Sequence, residues 1–162
     1  MTEQTVQAVP PEIEPARKRV AGPVRWLIVA FGAIGILFHI NQIFNLQFFS
    51  DTLIIDTAYF YILVALFLSL VFLIYPAHKS STTRIPLYDW ALFALAFGSA
   101  LYMAWHGEQM VLEGWDLIAP TTPTVLAAAI CFLALEAIRR VGGTVLFFIL
   151  SLIHISEPTR PY

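Results

Sequence analysis

The chain has 162 residues, of which 59% are hydrophobic and only 12% are charged, and its formal net charge at pH 7 is −2. Soluble domains carry about 25% charged residues, so this composition excludes a soluble globule and indicates an integral membrane protein in contact with lipid. The few basic residues are divided among several loops, which argues against a nucleic-acid partner. The single cysteine, Cys131, lies in an apolar run, so disulfides and a cysteine-based metal site are also excluded.

Four apolar segments are long enough to be transmembrane helices. A span needs roughly 20 apolar residues to cross the hydrocarbon core of a bilayer. In chain order, the candidate segments are 26–46, 57–75, 87–105 and 122–138. A fifth apolar run starts at residue 142 and is interrupted. The sequence therefore predicts an all-α integral membrane protein with four transmembrane helices and a truncated fifth.

The regions outside the spans complete the predicted organisation. Residues 1–22 are polar and contain several prolines, so we predict a disordered cytoplasmic tail rather than a signal peptide. Residues 23–141 form the predicted four-helix membrane domain, and 142–149 the start of a fifth span. The last stretch, 150–162, needs a separate explanation, which is given below.

The distribution of charge predicts the orientation in the membrane. Basic residues occur before the first span, between the second and third, and after the fourth; these are Arg17, Lys18, Arg19, Arg25, Lys79, Arg84, Arg139 and Arg140. The loops 47–56 and 106–121 contain no Lys or Arg and carry only acidic charges. Because cytoplasmic loops are enriched in Lys and Arg, the N-terminus is predicted to lie in the cytoplasm.

The first span carries a polar cluster near its C-terminal end. His39, Gln42 and Asn45 are three residues apart and are therefore predicted to share one side of the helix. One interpretation is a strip that faces an ion or a substrate. The interpretation we favour is hydrogen bonding between packed helices or to interfacial water, which contributes about 1 kcal/mol or less per bond.

Charged residues also lie at the start of the third span and the end of the fourth. Asp89 follows Pro86 by three residues, where a carboxylate faces the positive end of the helix dipole; a proton relay is the alternative. Glu136 precedes Arg139 and Arg140 by three and four residues, so a local ion pair is predicted. We interpret these four residues as candidates for a structural or docking role.

The final residues resemble a product of DNA handling. The stretch "LSLIHISEPTR", from residue 150 to residue 160, is similar to the in-frame translation of the transposon-end adapter that is ligated during sequencing-library preparation. We therefore expect residues 150–162 to be adapter-derived and the natural protein to continue beyond Ile149. A short natural tail is the alternative. His154, Ser156 and Glu157 are the residue types of a catalytic triad, but nothing in a terminal strip would hold them in place.

No pattern in the sequence supports an enzyme. It contains no phosphate-binding loop, paired catalytic carboxylates or metal-ligand cluster, and no cofactor is expected. A membrane enzyme would need polar groups that face one another across helices. Its histidine candidates are His39, His78 and His106, and the predicted topology places them too far apart to converge.

Two stretches carry a resemblance to a known family. They are "IPLYDWALFALAFGSALYMAW", with Pro86 and Asp89, and "LALEAIRRVGGTVLFFIL", which holds Glu136, both arginines and Gly143. Over roughly residues 24–149 the chain resembles the N-terminal part of fused permeases of tripartite ATP-independent periplasmic (TRAP) transporters, the group paired with TAXI-type binding proteins. The element Glu-x-x-Arg-Arg with the following glycine is the more specific of the two.

The resemblance implies a bacterial inner-membrane transporter for organic acids. A periplasmic solute-binding protein would deliver the solute, and a sodium gradient would drive uptake. This chain would be the small membrane domain, a scaffold for the large permease domain that is fused downstream and holds the substrate and sodium sites. The alternative is a standalone small membrane scaffold or assembly protein.

Overall fold

The computed structural model describes residues 22–46, 56–77 and 85–156, with side chains as far as residue 153. Within these ranges the chain forms five helices and no strand. They are α1 (Pro23–Phe44), α2 (Asp56–Ile74), α3 (Leu87–Trp105), α4 (Gly107–Leu112) and α5 (Thr121–Ser156). Of these, α1, α2, α3 and α5 are long and apolar enough to cross a membrane. The predicted all-α fold with four candidate spans is thus confirmed in the described residues.

Successive long helices run antiparallel, so the bundle has two chemically different ends. Gln42 near the end of α1 contacts Asp56 at the start of α2, and Arg140 of α5 reaches both the end of α2 and the start of α3. We call the end that holds Arg25, Asp89, Arg139 and Arg140 the basic end. The opposite end, which holds Asp56, Glu108, Glu113 and Asp116, is called the acidic end.

The buried core lies where α2, α3 and α5 meet. Its central residues are Phe72, Ala96, Leu133 and Ala137. Ala96 is fully buried, and its small side chain lets neighbouring helices approach closely. The hydroxyl of Ser99, one turn further along α3, donates to the carbonyl of Leu95 at 2.6 Å, which satisfies this polar group within its own helix. α1 packs against α2 at the side of this core.

The first helix differs from its predicted span at both ends. α1 begins at Pro23, a residue that helices accept in the first turn because its missing N–H has no partner there. It ends at Phe44, whereas the predicted span continued to residue 46. Asn45 adopts a left-handed conformation with φ of 49°, and the N–H of Leu46 then donates to the carbonyl of Asn41 at 3.0 Å. This geometry closes a helix C-terminus.

The region 106–121, predicted as a loop, contains the short helix α4. The helix starts at Gly107, whose Cα lies so close to α2 that an added methyl group would stand 2.7 Å from the Cβ of Ala58. The absence of a side chain at Gly107 therefore permits this contact between α4 and α2.

The fourth span and the fifth apolar run form one helical element that is broken at Gly143. This residue has φ of 79° and ψ of 176°, a conformation that essentially only glycine adopts. Arg139 and Arg140, predicted to follow the fourth span, instead lie within α5 just before the break. The helix resumes beyond it and includes residues 150–156 of the adapter-like stretch. Residues 1–21 of the predicted tail 1–22, together with residues 157–162, lie outside the described residues.

Candidate functional site

A buried ion pair joins α3 and α5 at the basic end of the bundle. The Nη1 atom of Arg140 lies 2.8 Å from Oδ1 of Asp89, and the two side chains are 1% and 0% exposed. Asp89 is placed in the first turn of α3 because Pro86 holds an extended conformation immediately before the helix. Arg140 lies in α5 on the face that packs against α3. The pair is therefore formed by residues from distant parts of the sequence.

The same guanidinium group also contacts α2 and its own helix. Nη1 donates to the backbone carbonyl of Tyr75, just after α2, at 3.2 Å. Nε donates to Oε1 of Glu136 at 2.8 Å. The Cζ atom lies 5.0 Å from the centre of the Phe72 ring, within range for a cation–π contact. Arg140 thus connects three helices through one planar group.

Glu136 extends the ion pair toward the surface. Its carboxylate accepts two hydrogen bonds from Arg139, from Nε and Nη2, each at 2.7 Å, in addition to the bond from Arg140. The side chains of Arg139 and Glu136 are 33% and 30% exposed. The predicted local ion pair is therefore present. We call Asp89, Glu136, Arg139 and Arg140, with the carbonyl of Tyr75, the Arg140 network.

The chemistry of the Arg140 network suits a fixed connection. The guanidinium group of Arg140 lies between the carboxylates of Asp89 and Glu136 and is within 2.8 Å of an oxygen of each. A buried pair of this kind is costly to desolvate, and removing one partner leaves an uncompensated charge that destabilises a protein by about 3–5 kcal/mol. The arrangement favours a structural role for Asp89, in which its ion pair holds α3 against α5, over a role in a proton relay.

The partner of Asp89 could not be predicted from sequence spacing. Its position in the first turn of α3 was predicted, but the expected interaction was only with the helix dipole. The signal that was available is the alternation of the spans, which brings the start of the third and the end of the fourth to the same end of the bundle. Sequence spacing alone did not reveal which of the two adjacent arginines faces inward.

The polar cluster of the first span lies near the acidic end, where it joins α1 to α2. His39 Nδ1 forms a hydrogen bond with the hydroxyl of Tyr59, and Gln42 Nε2 donates to Oδ1 of Asp56 at 3.4 Å. These contacts are of the kind that the packing interpretation predicts. Asn45 does not share the helical side of the other two, because its left-handed backbone places it beyond the end of α1. Asn41, which belongs to the same polar cluster in the sequence, is the buried amide of α1.

The histidines do not form a site in the described ranges. His106 Nδ1 contacts the carbonyl of Tyr102 at 2.9 Å, while His39 contacts Tyr59 on α2. His78 lies outside the described residues. Among the residues that the structure describes, no group of three His, Cys, Asp or Glu side chains could hold a metal ion.

No protein-family model, curated protein or solved structure matches the chain. The Arg140 network is accordingly the main structural basis for inferring its function.

Proposed function

We propose that the chain is the small membrane domain of a fused TRAP-type permease for organic-acid uptake, and that it serves as a scaffold for the large permease domain. The observation that carries the proposal is the Arg140 network. It places the buried side chains of Asp89 and Arg140 where α2, α3 and α5 meet, and hydrogen bonds of Arg140 join the three helices there. A rigid support needs such a connection, whereas a substrate site needs groups that remain accessible.

The segment beyond Gly143 supports the scaffold role. It follows the network directly and exposes large apolar side chains before the adapter-like stretch; these are Val145, Leu146, Phe148 and Ile149. Such a surface must be covered by lipid or by other apolar helices. In the proposed protein this segment leads into the large permease domain, which packs against the scaffold.

The proposal also assigns a location and partners. The chain lies in the bacterial inner membrane with its basic end, including the N-terminus, in the cytoplasm. The acidic end then faces the periplasm, where the solute-binding protein docks on the assembled transporter. The organic acid and the sodium ion bind to the downstream domain, so no substrate or sodium site is assigned to residues of this chain.

The direct test is to read the source DNA downstream of the codon for Ile149. We expect the frame to continue into a long permease with many further spans. A natural stop codon within a few positions would contradict the proposal and favour the standalone membrane scaffold or assembly protein.

Transport provides the second test. Vesicles that contain only this chain should take up no radiolabelled organic acid, because the proposed substrate site lies elsewhere. The matched control is the full fused permease in the same vesicles, with its binding protein and a sodium gradient. Uptake by this chain alone would refute the scaffold role.

A further inference from the structure

A cavity of about 540 Å³ opens at the acidic end of the bundle. It lies between the first turns of α2 and α5, the end of α3, and the connection that contains α4. Its volume falls in the range of about 300–1,000 Å³ that is typical of small-molecule sites. The Arg140 network lies at the opposite end, so the cavity is a separate feature of the fold.

The walls of the cavity combine aromatic rings, thioethers and one carboxylate. Tyr61 and Trp115 supply the rings, Met103 and Met110 the thioethers, and Asp116 the carboxylate. The Trp115 indole Nε1 donates to Oε2 of Glu113 at 2.7 Å, and its ring lies 6.1 Å from that of His106. Trp115 is therefore held in place from outside the cavity.

The electrostatic environment of the cavity is negative. All arginines in the described ranges (Arg25, Arg139 and Arg140) lie at the basic end, and the described residues contain no lysine. The segment directly before α2, residues 47–55, contains no Lys or Arg in its sequence either. No described Arg or Lys side chain therefore lies near Asp116, so a cation is favoured in the cavity and a carboxylate ligand is disfavoured.

We propose that this cavity binds an organic ammonium ion that carries an apolar substituent. The ammonium group contacts the carboxylate of Asp116 and the faces of Trp115 and Tyr61, since aromatic faces attract quaternary and primary ammonium groups. The substituent packs against Met103 and Met110, whose flexible thioethers adapt to different shapes. The ligand is either a free amine or the ammonium headgroup of a phospholipid. This inference does not depend on the proposed transporter role.

The test uses the full chain purified in a neutral maltoside detergent, titrated with benzyltrimethylammonium in a calorimeter. We expect saturable binding, and about tenfold weaker binding by Asp116→Asn, which removes the Coulomb attraction between carboxylate and probe with little change in shape. The matched control is Glu108→Gln, which removes an acidic charge from the same end but not from the cavity wall, and which should bind as the wild type does. Benzoate, of similar size and opposite charge, should not bind.

A second variant, Trp115→Leu, should also weaken binding because it removes the indole face. Equal binding of the probe by the wild type and Asp116→Asn, equal binding by benzoate, or no binding of the probe would each overturn the proposal.

Lipid nanodiscs separate the two sources of the ammonium group. In phosphatidylglycerol, which lacks an ammonium group, the probe should bind as in detergent, provided that all titrations are made in about 1 M salt, which screens the anionic lipid surface. If a lipid headgroup is the natural ligand, nanodiscs of phosphatidylethanolamine should weaken probe binding several-fold by competition. Equal affinity in the two lipids would identify a free amine as the ligand.

Discussion

Asp89 compensates a positive charge on Arg140 that is removed from solvent. Asp89→Asn keeps the shape of the side chain but removes one of the two carboxylates paired with Arg140; because Glu136 remains 2.8 Å from Arg140 Nε, we expect a loss of about 1–3 kcal/mol in the free energy of unfolding. The measurement is denaturant or thermal unfolding of the purified chain in detergent. Arg139→Gln is the matched control, because Arg139 is half-exposed and its pair with Glu136 should contribute about 1 kcal/mol or less. Equal effects of the two variants would contradict the buried pair.

The individual side-chain contacts differ in whether they could be predicted from the sequence. The pair between Glu136 and the arginines was predictable because residues three and four apart are neighbours on any helix. The pair between Asp89 and Arg140 depends on how α5 is rotated against α3, and the helices' apolar surfaces leave that rotation open. For the same reason Asn41, rather than the singled-out Asn45, is the buried amide of α1.

At the scale of elements, the contact of α4 with α2 depends on the missing side chain of Gly107. Gly107→Ala would bring a methyl group within 2.9 Å of the Ala58 backbone, so the two elements must separate. Overpacking of this kind typically costs about 1–3 kcal/mol, which should lower the thermal unfolding midpoint. Gly98→Ala is the control, since a methyl group there meets open space and improves the helix propensity of α3. Equal midpoints for the two variants would argue against the close contact.

The break in α5 depends on the backbone of Gly143 rather than on packing. Its φ of 79° is strained for any L-residue, although nothing lies within 4 Å of an added methyl group. Gly143→Ala should therefore straighten the helix. If the break is retained, the strained backbone should lower the free energy of unfolding by about 1–3 kcal/mol. Spin labels at positions 125 and 149, introduced in a Cys131→Ser background, measure the change as an increased separation. Gly32→Ala, a helical position with open space, should leave that distance unchanged.

If Gly143→Ala instead keeps both the wild-type distance and the wild-type unfolding midpoint, the break does not depend on the glycine.

The elements themselves were largely predictable, because long apolar runs leave few alternatives to a spanning helix. The six-residue helix α4 was missed, since its sequence is too short to show a helical period. Likewise, the left-handed residue that ends α1 is Asn45, which its spacing predicts to share one helical side with His39 and Gln42.

In the whole molecule, basic and acidic residues lie at opposite ends of the bundle, as the alternation of charge between the loops of the sequence predicts. The antiparallel arrangement follows from the alternation of spans and short connections, and the described contacts agree with it. The packing of the helices around Phe72 and Ala96 did not follow from the sequence, because in lipid the apolar faces of a span are nearly equivalent. Specific polar contacts, such as those of Arg140, select among these packings.

The separation of charge makes the orientation testable. Leu87 at the basic end and Leu117 at the acidic end are 85% and 86% exposed, which makes them a matched pair for single cysteine substitutions in a Cys131→Ser background. With a membrane-impermeant maleimide on intact spheroplasts, we expect rapid labelling of Leu117→Cys, and labelling of Leu87→Cys only after permeabilisation. We expect the basic end on the cytoplasmic side because translocation of its arginines is unfavourable. The reverse pattern would place the acidic end in the cytoplasm, where a periplasmic binding protein could not reach it.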